Sequence, residues 1–139
     1  MSWMRINHLL PHEAAWLKKA RSQAQRLNFN AALATLSNVP VFSGYKAKIQ
    51  AKMLQVRTLL NAGNHLKAQR VLAAIDTSAL TADESIQFES LRAFFYQTTG
   101  DIKSFIQIAG DFSDKDIRSN AECALLKAEA LLLDERVVA

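Results

Sequence analysis

Apolar residues return at three- and four-residue intervals along most of this chain, and that spacing predicts helices from end to end. Pro11-His12-Glu13 marks a first start, with proline in the first turn and an acid near the positive end of the helix dipole. Ala14, Leu17, Ala20, Ala24 and Leu27 then form one apolar stripe. A second long helix opens after Ser43, carries Ile49, Met53, Val56, Leu59 and Leu60, and ends near Gly63. The run Thr81-Ala82-Asp83-Glu84 has the form of a capping box and opens a third, which carries Ile86, Leu91, Phe94, Phe95 and Tyr96 to Thr99-Gly100. A fourth opens around Ser113-Asp114 and carries Ile117, Ala121, Ala124, Leu125, Ala128 and Leu132. Shorter helical stretches fall near residues 30–38, 65–76 and 102–110. The predicted class is all-α, with about seven helices.

Long and short helices alternate, and their turns align. Leu27-Asn28-Phe29-Asn30-Ala31-Ala32 matches Gly63-Asn64-His65-Leu66-Lys67-Ala68, and Gly100-Asp101-Ile102-Lys103-Ser104-Phe105 follows more loosely. Phe29, His65 and Ile102 therefore act as pivots about 36 residues apart. A helix hairpin repeated at that period cannot bury its apolar face alone and stacks on its neighbours.

These residues resemble the tetratricopeptide repeat (TPR) family over roughly residues 12–110. The likeness rests on the Gly63-Asn64-His65…Ala68 and Phe29…Ala32 turns. Trp16, early in the first long helix, adds to it, as do the small residues Ala20 and Ala93 and Tyr96 one turn beyond Ala93. Leu27 stands where a turn glycine belongs, Phe105 where a small residue belongs, and no proline closes the second and third units. The resemblance implies a helical solenoid in one domain. Residues 1–11 form an N-terminal segment, 12–40, 44–77 and 82–110 are three repeats, and 113–136 is a capping helix. It also implies that the first helix of each unit lines a concave groove. Leu17, Arg21, Gln25, Met53, Arg57, Asn61, Ser90, Phe94 and Gln97 are the candidate partner-binding residues on that face.

Composition narrows the function classes. The 139 residues are 50% hydrophobic and include one cysteine, Cys123, which cannot form an internal disulfide. The opening residues lack the continuous apolar core of a signal peptide, and no apolar run is long enough to span a membrane, so a cytoplasmic location and no membrane partner are expected. The net charge of +4 hides an asymmetry. Residues 1–72 hold eleven Lys/Arg and one acid, Glu13, a net of +10, while residues 73–139 hold six Lys/Arg and twelve acids, a net of −6. A basic half of this kind calls for an anionic partner. Nucleic acid is the alternative to an acidic protein or peptide, but few aromatic residues accompany the bases for stacking, and the acidic half repels a long polyanion. The acidic half of a second copy is another anion within reach, so head-to-tail self-association is expected as a companion behaviour.

No catalytic motif is present, neither a phosphate loop, HExxH, paired cysteines nor a nucleophile elbow, so no enzyme activity, cofactor or metal is expected. His8 and His12 are four residues apart but separated by the helix start at Pro11, and His65 reads as a turn residue that packs as the family's aromatic does. Asp111, Asp114 and Asp116 lack the central glycine and terminal glutamate of a calcium loop and fit helix capping instead. Arg21 and Arg57 lie 36 residues apart, at equivalent places in consecutive units, and Gln25 and Asn61 repeat one turn later. Two arginines on neighbouring helices repel unless an anion lies between them, and side-chain amides pair with both N–H and C=O of a peptide backbone. The expectation is a non-catalytic adaptor or chaperone that grips an acidic segment.

Overall fold

The structure, a computed structural model, describes residues 11–40 and 43–138. The Trp3-Met4-Ile6-Leu9-Leu10 segment and His8 lie outside the described residues, as do the side chains of His12 and Glu13. The described residues are all-helical, as expected. In chain order the helices are α1 (Pro11–Gln25), α2 (Phe29–Ser37), α3 (Tyr45–Asn61), α4 (His65–Ala73), α5 (Ala82–Thr99), α6 (Ile102–Gly110), α7 (Asp114–Ser119) and α8 (Ala121–Val138). A 3₁₀ turn at Thr77–Ala79 precedes α5. Its cap, Asp76, accepts from the Ser78 hydroxyl and N–H, which holds the carboxyl below its usual range. The chain divides into two compact units, Met1–Ile75 and Asp76–Ala139.

Three hairpin turns share one backbone geometry. Each passes through a left-handed residue: Leu27 (φ 62°), Gly63 (φ 84°) and Gly100 (φ 86°). In each, the next N–H reaches back five residues to a helix carbonyl: Asn28 to Gln23 at 2.9 Å, Asn64 to Leu59 at 2.9 Å, and Asp101 to Tyr96 at 3.0 Å. Those bonds satisfy carbonyls that a helix end otherwise leaves unpaired. The same three residues then cap the next helix. Asn28 Oδ1 accepts from the Ala31 N–H, Asn64 Oδ1 from the Lys67 N–H, and Asp101 Oδ1 from the Ser104 N–H, at 3.4, 3.3 and 3.2 Å. Each turn therefore ends one helix and starts another of nine residues.

Burial follows the same register. Nine residues before the pivots stand Ala20, Val56 and Ala93; three residues after them stand Ala32, Ala68 and Phe105; all six are fully buried. Phe105 fits where the other hairpins carry alanine because it shares a cluster with the small residues Ala93, Ala109 and Ala130. In the first unit α1 packs on α2 and α3, α2 on α3, and α3 on α4. Trp16, Leu17, Val39 and Leu54 close around Ala20, Leu36 and Ala51 there. In the second, α5 and α6 pack against α8, and α7 against both α5 and α8. Its centre holds Phe105, Phe112, Cys123 and Leu126.

Two expectations need correction. The pivot His65, the first residue of α4, is exposed rather than packed; Phe29 is half-buried. The continuous helix expected over 113–136 is two helices, broken at Asn120, whose φ and ψ of −146° and 109° are extended. Ser113 and Asp116 form a capping box on α7, and Asn120 Oδ1 accepts from the Glu122 N–H to begin α8. The break resets the helical phase. Cys123, Leu126 and Ala130 face the core, while Leu125 and Leu132 are 74% and 59% exposed.

Candidate partner-binding surfaces

The nine candidate residues separate by accessibility. In the first unit Arg21 on α1 is exposed, Leu17 and Arg57 are half-buried, and Gln25 and Asn61 are exposed one turn beyond the arginines. Helices α1 and α3 pack together, so the two equivalent positions belong to neighbouring helices. Met53, at the position equivalent to Leu17, is buried at 7% exposure and offers a partner almost no surface.

In the second unit the corresponding residues serve the fold. Ser90 is 1% exposed, and its hydroxyl donates to Glu122 on α8. The Gln97 amide donates to Glu129, two helical turns beyond Glu122 on α8. Both bonds tie α5 to α8, and a buried polar group left without such a partner would cost about 1–3 kcal/mol. Phe94 is half-buried. Partner contacts from the α5 face are therefore confined to what Phe94 and Gln97 leave accessible.

Two grooves, each built by a hairpin, are not legible in the residue spacing. The first, about 560 Å³, lies along α3 and α4 and includes Lys52, Gln55, Lys67, Arg70, Val71 and Ala74. Asn64 and the 62%-exposed Leu66 complete it. The second, about 480 Å³, lies along α5 and α6 and includes Glu89, Arg92, Ser104, Gln107, Ile108 and Asp111. Each of these six residues stands 37 positions after its counterpart in the first groove. The hairpins thus build the same groove twice with different chemistry. Three cations line the first, and the first unit carries no acid but Glu13 to neutralise them. In the second, Arg92 is bound by Glu89 at 3.1 and 3.2 Å, and Asp111 and Asp116 leave an acidic lining. Lys52, Lys67 and Arg70 have no basic counterparts 37 residues on, so spacing alone does not single them out; the packing of α3 on α4 brings them onto one surface.

Among the described residues no His/Cys/Asp/Glu group is placed to hold a metal ion, and no helix is long and apolar enough to cross a membrane. Cys123 is fully buried. Burial pushes its thiol pKa up, and the nearby Asp116 and Glu122 carboxylates add to the shift, so the group stays a neutral core side chain. No protein-family model matches the chain, and no curated protein or solved structure matches it.

Proposed function

We propose that this chain is a non-catalytic, TPR-like interaction module, an adaptor or chaperone of the cytoplasm, that holds an acidic segment of a partner protein across α1 and α3. The observation that carries this reading is the charge register of the first unit. Arg21 and Arg57 repeat at 36 residues on packed helices, and an exposed amide, Gln25 or Asn61, repeats one turn beyond each. A carboxylate between the guanidinium groups would gain charge-assisted, bidentate contacts, and the amides would pair with the backbone that carries it. Leu17, half-buried one turn before Arg21 on α1, adds apolar surface beside it. The matching caps and burial positions of the three hairpins support the TPR-like part of the reading.

Fluorescence anisotropy with a labelled Glu/Asp-rich peptide, run beside a single-stranded oligonucleotide of equal charge, tests it. Peptide binding is expected to weaken as salt rises and to fall about tenfold or more in the Arg21→Ala/Arg57→Ala variant. Peptide affinity indifferent to both arginines would refute the reading. Tighter binding of the oligonucleotide would assign the basic unit to nucleic acid instead.

A further inference from the structure

The exposed face of α8 and the groove on α3 and α4 are opposite in charge and alike in apolar content. Leu125, Ala128 and Leu132 follow one another at three and four residues along the outside of α8. Leu131 stands beside them at 49% exposed, and Glu129, Asp134 and Glu135 are exposed on the same helix. Large leucines gathered on one helix face differ from the scattered apolar residues of an ordinary surface and mark a contact site. A leucine face bordered by carboxylates is repelled by nucleic acid and by anionic lipid, and it calls for a cationic protein surface with an apolar floor. The groove supplies one: Lys52, Lys67 and Arg70 stand around Leu66 and Val71. Its cations have no acid within the first unit to compensate them except Glu13.

We infer that α8 of one copy of this chain docks into the α3–α4 groove of a second copy. Leu125 and Leu132 lie over Leu66 and Val71, and the carboxylates near the end of α8 meet Lys52, Lys67 and Arg70. The two surfaces are different parts of the molecule, so the contact is head-to-tail and each pair of copies retains one unused groove and one unused helix face. Chains of copies grow with concentration, and because charge steers the pairing, growth diminishes as salt rises. Neither Arg21 nor Arg57 takes part, so failure of this contact and failure of the acidic-peptide reading are separate results.

Sedimentation equilibrium of the full chain over a concentration series is the test, with two variants at exposed positions whose helicity is checked by circular dichroism. Wild-type mass should rise with concentration, less at high salt. Lys67→Glu/Arg70→Glu spoils the groove, Asp134→Lys/Glu135→Lys spoils the helix face, and each should weaken self-association about tenfold or more. Mixing the two variants leaves one intact groove facing one intact α8, and at the other contact the reversed charges complement each other, so the mixture should associate where each variant alone does not. A wild-type chain that stays monomeric at every concentration overturns the inference. So does self-association that both variants leave intact, or a mixture of the variants that remains monomeric.

Discussion

Leu27 stands at φ 62°, a conformation that an L-residue adopts at a cost of roughly 1–2 kcal/mol and glycine adopts freely. The equivalent positions in the other two hairpins are Gly63 and Gly100. Leu27 is 74% exposed, so its side chain contributes little packing to offset the backbone cost. Leu27→Gly relieves that cost but gives the unfolded chain about 0.4–1 kcal/mol of extra conformational freedom. Leu27→Ala removes the same side chain and keeps the backbone cost. The Leu27→Gly variant should therefore be more stable than the Leu27→Ala variant by about 0.5–1 kcal/mol, reversing the order found inside helices, where alanine is favoured. Gly63→Ala should lose a similar amount. An added Cβ there meets nothing within 4 Å, so the loss is conformational and not steric. For a unit of this size, that difference is a shift in Tm of about 2–8 °C, readable by circular dichroism and by urea titration at constant m. Equal stability of the Leu27→Gly and Leu27→Ala variants, together with an unaffected Gly63→Ala, would refute the reading that all three turns require the left-handed conformation.

Other predictions concern the core. Ala68 is fully buried at the position where Ala32 and Phe105 stand in the other hairpins, and Val56 stands where the third hairpin has the small Ala93. Ala68→Phe should overpack the α3–α4 pair and cost about 1–3 kcal/mol in urea unfolding; an unchanged midpoint would count against that packing register. Cys123, with its thiol pKa raised by burial and by Asp116 and Glu122, should resist alkylation in the native chain near neutral pH and react once the second unit unfolds. A raised folded-state pKa contributes stability below the thiol's ordinary value and loses it as pH climbs through the folded value, so the second unit should weaken on the alkaline side. Cys123→Ser should remove part of that alkaline loss, measured as Tm against pH.

Local information decided the helices and their ends. Asn28, Asn64 and Asp101 carry short polar side chains that cap a backbone N–H wherever a chain leaves one turn and enters the next, and the Thr81–Glu84 box needs only four neighbouring residues. Buried positions recur at the spacing of the turns, as Ala20, Val56 and Ala93 do. The conformation of Leu27 could be read only through its alignment with two glycines; leucine itself gives no sign of it.

The sequence by itself thus determined an all-helical chain, its caps, its repeated turns and the opposition of a basic and an acidic half. Tertiary structure decided which side of each helix faces inward where both sides are apolar. In α8, leucines at 125, 126, 131, 132 and 133 leave several apolar stripes open, and Leu126 is buried while Leu125 is not because the break at Asn120 sets the helix's rotation against α6. It likewise turned Ser90 and Gln97 into ties to Glu122 and Glu129, and gathered Lys52, Lys67 and Arg70 on one groove. Such assignments depend on which surfaces meet, and helical periodicity fixes the angles between residues on one helix but not the neighbour that the helix will find.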